Sequence, residues 1–353
     1  MTQLDLFAAL EDEPEPIPAT FAAAPEKPPV PSSPPAAAAV AQPRPRPRRT
    51  KPVSDPHGQA MRIGEAAAGV WHRQHGGTRI EVPVGIVAAL ALIRQRDESG
   101  PDLQAQILSQ DDSQLIAMFR EIWSTHWMHR PDLIDRARIL HEWLNDEEID
   151  NHRAYVVRAV TKAALEHGLF DLTGHADPYL RAQTDVLSPV MMLVRSSGAQ
   201  QGLGEYHTPA SVADAMANIV AAGTVMDIQL AVDAPQAGEH IHDPAAGSGG
   251  LLRSAAQHLR EQGLDPAQFQ WSMVDIDEIA AACAAVNSII WMLGPRVTVA
   301  CADSLASPNA VEDAMKHARA VFAHRDEMLG KARIIAAIRQ TQQLLEQGTA
   351  VAA

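Results

Sequence analysis

The chain is poor in cysteine, in positive charge and in long apolar runs, and each deficit closes off a class of protein. Two cysteines in 353 residues, Cys283 and Cys301, make neither a disulfide framework nor a zinc cluster, and both fall in segments whose pattern predicts burial. A reducing cytoplasm is the expected compartment. No stretch approaches the roughly 18 apolar residues of a membrane span, and the opening lacks the basic start of a signal peptide, so a soluble protein with no membrane association is expected. Lys and Arg number 29 against 43 Asp and Glu, a formal net charge of −14. Nucleic-acid affinity comes mainly from Lys and Arg that neutralise phosphates and release counterions, so the chain alone is expected to bind DNA weakly.

What is present divides the chain into four stretches. Residues 1–55 are rich in Pro and Ala, with an acidic run at Glu11–Glu13 and a basic run through Arg44, Arg46, Arg48, Arg49 and Lys51. Such composition buries too little apolar surface to offset the entropy of ordering, and a disordered tail is expected, its basic run a solvated linker. Residues 60–170 are expected to form a helical domain. Leu115, Phe119, Ile122 and Trp123 mark one helical face, Leu133, Ala137, Leu140 and Leu144 another, and Tyr155, Val156, Ala159, Val160 and Ala163 a third. Asp111 to Ser113 supply N-caps and Pro131 suits the opening of the next helix. His126, His129, His141 and His152 have no acid or Cys that completes a ligand pattern, and no metal is assigned.

From residue 171 to 310 the pattern is mixed α/β. Short strands are expected at Ile241–Asp243, Trp271–Asp275 and Val297–Cys301, separated by helical stretches that begin at Leu251 and Ile279. Alternation of this kind implies parallel strands joined by right-handed crossovers. Residues 311–353 keep helical spacing through Phe322, Met328, Leu329, Ala332, Ile335, Ile338 and Leu345, and C-terminal helices are expected there.

The chemistry lies at residues 243–250, Asp-Pro-Ala-Ala-Gly-Ser-Gly-Gly. A strand that ends in an acid, a turn with Gly at alternate positions and a following apolar helix build a nucleotide-type pocket at the carboxyl edge of a sheet. Gly247 and Gly249 are expected to leave room for a ligand, because a side chain at either would occupy its space and Gly takes positive φ cheaply. The ligand most consistent with this version of the loop is S-adenosylmethionine, and a dinucleotide fingerprint would want a third Gly where Leu252 stands, which argues against NAD. Taken alone, the same residues would also serve as a structural strand-to-helix turn.

Upstream stands Gly204-Glu205-Tyr206-His207-Thr208-Pro209. With this segment ahead of the Asp-Pro-Ala loop, residues 171–305 resemble the adenine-N6 DNA methyltransferases, in particular the modification subunits of type I restriction-modification systems. Those proteins join a Gly-x-Tyr/Phe-x-Thr-Pro segment, a short helix and an Asp-Pro-Ala-Cys-Gly-Ser/Thr-Gly-Gly loop in this order. Ala246 replaces the usual Cys. The resemblance implies a partial Rossmann-like class I sheet that binds S-adenosylmethionine, acts on DNA and works beside a specificity subunit.

It also implies a cofactor site, residue by residue. Asp243, with Pro244 and Ala245 beside it, closes the first strand where a carboxylate accepts from the cofactor amine. Asp275 is placed to take the ribose hydroxyls, with Asp277 as an alternative, and Ile276 lies beside the adenine. Asp303, in Ala302-Asp303-Ser304-Leu305, resembles the Asp of a Gly-Asp-Ser-Leu segment that accepts from the adenine amino group, although Ala302 departs from the Gly. Thr208 offers a hydroxyl and an amide near a helix start for the methionine carboxylate, with Tyr206 and Pro209 shaping that wall. An ordinary N-cap at Thr208 is the alternative and is compatible with binding. Asn287 matches a family Asn and reads as structural.

One part of the family pattern is missing. Methyl transfer to an adenine amine needs acceptors for the amine protons and an aromatic to hold the flipped base, which the family supplies with an Asn/Asp-Pro-Pro-Phe/Tyr loop after the fourth strand. Pro-Pro occurs here only at Pro28-Pro29 and Pro34-Pro35, and Ser307-Pro308-Asn309 follows the third strand too soon and without an aromatic. No catalytic residue is assigned. The family sheet has about seven strands and three are expected here, so the first strand is left with an unpaired side unless a helix, another chain or the Val225–Val232 segment covers it.

Two expectations follow. One is a modification-subunit relative that methylates adenine N6 when completed by another polypeptide. The other is a catalytically inactive, cofactor-binding scaffold associated with DNA. For either, Gln3-Leu4-Asp5-Leu6-Phe7 resembles the pentapeptide by which bacterial proteins dock on the replicative sliding clamp, its two leucines and terminal aromatic suited to a hydrophobic groove.

Overall fold

The computed structural model describes residues 53–75, 78–95, 102–146, 149–195, 208, 212–217, 224–225, 228–229 and 236–351. The expected tail, apart from its last three residues, and the peptide Gln3–Phe7 lie outside the described residues. Helices come first: α1 Pro56–His75, α2 Glu81–Leu92, α3 Leu103–Leu108, α4 Asp112–His129, α5 Pro131–Arg136, α6 Asn151–Glu166, α7 Leu169–Thr173, α8 Pro178–Arg181 and α9 Leu187–Val194. Two short β-strands, β1 Thr224–Val225 and β2 Ile228–Gln229, pair with each other. There follow β3 His240–Asp243, α10 Gly250–Glu261, β4 Gln270–Asp275, α11 Glu278–Ile290, β5 Val297–Cys301 and α12 Ala310–Val351.

Local chemistry explains where the helices start. Asp111 caps α4 in a reciprocal capping box with Gln114, Asp102 and Asp150 cap α3 and α6, and Pro131 opens α5. Helix α2 is buried on every side from Val82 to Leu92, which its unbroken apolar sequence requires. It sits at the centre, with α4, α6, α9 and α11 packed around it.

Strands β3, β4 and β5 form a parallel sheet in that order, with Asp243 opposite Met273 and Asp275 opposite Cys301. The helical N-terminal part and this small parallel sheet share one apolar cluster that runs from Ala60 in α1 to Val299 in β5. Trp271, Met273, Val297 and Val299 line the sheet face turned into it. Arg181, only 2% exposed, stitches the two parts by donating to the carbonyls of Ala91, Thr173 and Ile290. A guanidinium buried this deeply is tolerable because its N–H groups are taken up by carbonyls.

Among the described residues β3 pairs only with β4, and β1 and β2 pair only with each other. His240 and His242 are exposed on this outer strand, and each places a ring nitrogen 2.7 Å from Oγ of Ser272. Beyond β5 the chain continues as one 42-residue helix, α12. Its first turns lie on β5 and α5, with Met315 buried and Nε2 of His317 2.6 Å from Oδ2 of Asp135. Residues 331–340 are exposed on all sides. Among the described residues no helix is long and apolar enough to cross a membrane.

Candidate functional site

The loop after β3 is held by its own backbone and by the neighbouring strand. Oδ1 of Asp243 accepts from the Ala245 amide at 3.0 Å, bridging Pro244, and the Ala246 amide donates to the Val274 carbonyl at 2.9 Å. The Gly247 amide donates to Oδ2 of Asp275 at 2.7 Å, so the acid at the end of β4 grips the loop that leaves β3. Gly247 and Gly249 have φ of 55° and 92°, the left-handed region that glycine alone enters at little cost. At Gly249 the reason for glycine differs from the expected ligand clearance. A Cβ there would stand 3.2 Å from Sδ of Met273 and 3.2 Å from Cζ3 of Trp291, so it is the core behind the loop that excludes a side chain.

The three acids expected at the strand ends do come to one edge, each in a different setting. Asp243 is 8% exposed, and its Oδ2 has no hydrogen-bond partner among the described residues. Burial pushes its carboxyl pKa up, the Ala245 amide and His242 pull against that, and Asp275 adds to the rise. Asp275 is half-buried and also accepts from the Asp277 amide at 2.9 Å. Asp277 is engaged elsewhere: it caps α11 by accepting from Ile279 and Ala280 at 3.2 Å and pairs with buried Arg195. Asp303 is exposed and accepts from the amides of Leu305 and Ala306 at 2.9 and 3.2 Å. Ile276, 62% exposed next to Asp275, presents an apolar side chain at the same edge.

Beside the loop lies a cavity of about 520 Å3, walled by Gly247, Gly250 and Ala245 on one side, by Thr208, and by His57 and Met61 of α1 on the other. Thr208 and Ala245 thus line one space. Asp243, Asp275, Ile276 and Asp303 lie along the sheet edge outside this cavity's wall. Tyr206 and Pro209 lie outside the described residues.

Several residues of this region carried no assignment from the sequence. Asp185 accepts from Oγ of Ser248 at 2.5 Å and from Nδ2 of Asn287 at 3.0 Å, and its Oδ1 also takes the amides of Leu187 and Ser188. Asn287, fully buried, donates to the Ser248 carbonyl at 3.0 Å as well. An acid two residues before the apolar run at Leu187 was readable as a helix cap. Asp214, in the helical turn at 212–217, accepts from His57, Ser254 and Arg253. For that cluster no local signal exists.

Parallel strands, an acid-tipped first strand, a left-handed glycine turn and a helix springing from it define an α/β domain. Residues 190–324 match the N-6 DNA Methylase family, and the chain carries a domain of that family. No curated protein matches the chain.

Proposed function

We propose that this domain binds S-adenosylmethionine along the edge formed by Asp243, Asp275 and Asp303 and serves adenine-N6 methylation of DNA. The observation that carries the reading is Oδ2 of Asp243, a buried carboxylate oxygen beside a glycine turn with no partner among the described residues. A buried acceptor left unpaired costs about 1–3 kcal/mol, and a cofactor amine would satisfy it. When bound, the cofactor supplies an electrophilic methyl group. Asp243 would accept from its amine, Asp275 from the ribose hydroxyls, Ile276 would lie against the adenine, and Asp303 would accept from the adenine amino group. Pro244, Ala245, Gly247 and Gly249 would shape the floor, and Thr208 with Tyr206 and Pro209 the methionine end.

The residues of this chain do not include an Asn/Asp-Pro-Pro-Phe/Tyr segment. Activation of the adenine amine would then come from residues outside this sequence, such as a complementing methylase chain whose strands would extend the sheet from the outer side of β3. A separate specificity subunit would supply the DNA contacts that a chain of formal charge −14 makes poorly. A second reading, a cofactor-binding scaffold without methyl transfer, is favoured by the same missing segment. In either, Gln3, Leu4, Asp5, Leu6 and Phe7 would recruit the sliding clamp, and a labelled peptide of residues 1–8 that fails to bind purified clamp removes that partner.

Calorimetry with S-adenosylmethionine tests the site: saturable binding is expected, and none would overturn it. Transfer of radiolabelled methyl to unmethylated DNA, with and without a complementing methylase chain, separates the enzyme from the scaffold. Methylation only in the presence of that chain supports the leading reading. None in either case supports the scaffold.

A further inference from the structure

At the opposite edge of the sheet, where β4 and β5 begin, a second cavity of about 830 Å3 opens between α2, the end of α4, α8 and the turns at Gly263–Ala267 and Met292–Gly294. Four arginines and one histidine face it: Arg94, Arg130, Arg181, Arg260 and His126. Two of the four charges are answered. Arg130 pairs with Asp132 at 2.9 Å, and Arg260 lies in the field of Asp265 and Asp177, which also line the cavity. The other two have no carboxylate partner among the described residues. Within that set Arg181 donates to backbone carbonyls, and Arg94 makes a hydrogen bond from Nη1 to Sδ of Met292 at 3.6 Å.

The surroundings register this excess of positive charge. Burial and the neighbouring Arg94 bring the Arg181 pKa down to about 9. Burial, with His129, Arg181 and Arg94, brings His126 down to about 4, so at neutral pH it is an uncharged hydrogen-bonding group. Leu92, Leu264 and Ile289 give the cavity an apolar wall, and Tyr179, 39% exposed, stands at its rim. An uncompensated guanidinium in a partly desolvated cavity attracts an anion, and its planar fork matches phosphate oxygens in pairs.

We propose that this cavity binds the phosphate of a nucleotide, free or within a DNA strand, with Arg94 as the direct ligand, Arg181 as the fixed charge behind it and the Tyr179 ring as a stacking face. Free nucleotide and DNA share this chemistry, and the choice of probes separates them. The site stands apart from the cofactor edge and does not depend on that assignment.

The test uses the full chain and three probes: inorganic phosphate, dTMP and a short single-stranded oligothymidine. Pyrimidine probes avoid the adenosine-type ground at Asp275 and Ile276. Arg94→Gln is expected to weaken dTMP at least ten-fold, Arg94→Lys to restore most of the affinity, and S-adenosylmethionine binding to be the same in all three proteins. Arg94-dependent binding of the oligothymidine but not of dTMP would assign the phosphate to DNA. In the unaltered protein, dTMP or the oligothymidine, whichever binds, is expected to slow phenylglyoxal modification of Arg94, a readout independent of how the variants fold. Binding of all three probes that ignores the Arg94 substitution, or no protection of Arg94, overturns the proposal.

Discussion

His57 and Asp214, separated by 157 positions, meet with Nε2 3.2 Å from Oδ2, and the other ring nitrogen of His57 lies 2.9 Å from Oγ1 of Thr184. The same carboxylate accepts from Oγ of Ser254 at 2.6 Å and pairs with Arg253, both on α10. One carboxylate therefore joins α1, the helical turn that follows Thr208, and the helix that follows the glycine loop.

Burial works to raise the Asp214 pKa, but hydrogen bonds from His57 and Ser254 and the charge of Arg253 outweigh it and hold the carboxyl well below the usual carboxylate range. A depressed carboxylate lends stability that is complete above the unfolded value near 4 and is lost as pH falls through the folded one. Asp214→Asn is expected to flatten the loss of stability below about pH 4 and to cost about 1 kcal/mol at neutral pH, a small figure because solvent reaches the group. Urea melts from pH 3 to 7 check this. Parallel pH profiles of the two proteins would contradict it.

Asp243 has the opposite sign. Its raised pKa means that the ionised carboxylate is held at a cost in the folded state, a cost absent at low pH and incurred as pH rises through the folded value. Asp243→Asn keeps an oxygen for the Ala245 amide and removes the charge. It is expected to raise the stability of the cofactor-free protein by about 1 kcal/mol at pH 7 while weakening S-adenosylmethionine, a trade common at functional sites. Thermal melting and calorimetry on the same samples read both changes, and a loss of stability would show that the carboxylate is structural.

Adjacent glycines should behave differently. Gly249→Ala forces a Cβ to within 3.2 Å of Met273 and Trp291 at a φ of 92°, and is expected to cost about 2–3 kcal/mol of stability. Gly250→Ala meets nothing within 4 Å, so its stability should be unchanged or slightly raised. Since Gly250 lines the 520 Å3 cavity, any effect of its substitution should fall on cofactor affinity. Chemical denaturation of both variants distinguishes core clearance from ligand clearance.

Asp275 and Asp277 are two residues apart and should separate cleanly. Asp275→Ala is expected to weaken S-adenosylmethionine by about 1–3 kcal/mol, the scale of a hydrogen bond to a charged group. Asp277→Ala removes the N-cap of α11 and the carboxylate paired with buried Arg195, and should cost about 3 kcal/mol of stability instead. Calorimetry and melting assign each role, and an Asp277 variant that melts like the parent but loses cofactor would reverse them.

Much of the sheet was readable because its signals are short-range. Strands β4 and β5 are largely apolar runs closed by turn residues, and the helix starts at Asp111 and Pro131 announce themselves within four positions. Harder to foresee was that the stretch from residue 311 forms one helix, α12, since helical spacing alone does not say where a helix stops. The constraint on Gly249 is hidden for a related reason: a glycine turn looks the same whether ligand or core lies behind it. Met273 and Trp291 are what decide, and they are 24 and 42 positions away.

By itself the sequence determined the order of elements, the acid-tipped strands and the glycine turn, because caps, periodicity and backbone freedom act over a few residues along the chain. Only the tertiary structure decided that Asp214 fastens three distant segments, that Oδ2 of Asp243 is unpaired among the described residues, and that Arg94 and Arg181 share a cavity. Those facts depend on burial and on distances across the fold, and dielectric surroundings and close approach are properties of packed neighbours that leave no local mark on the chain.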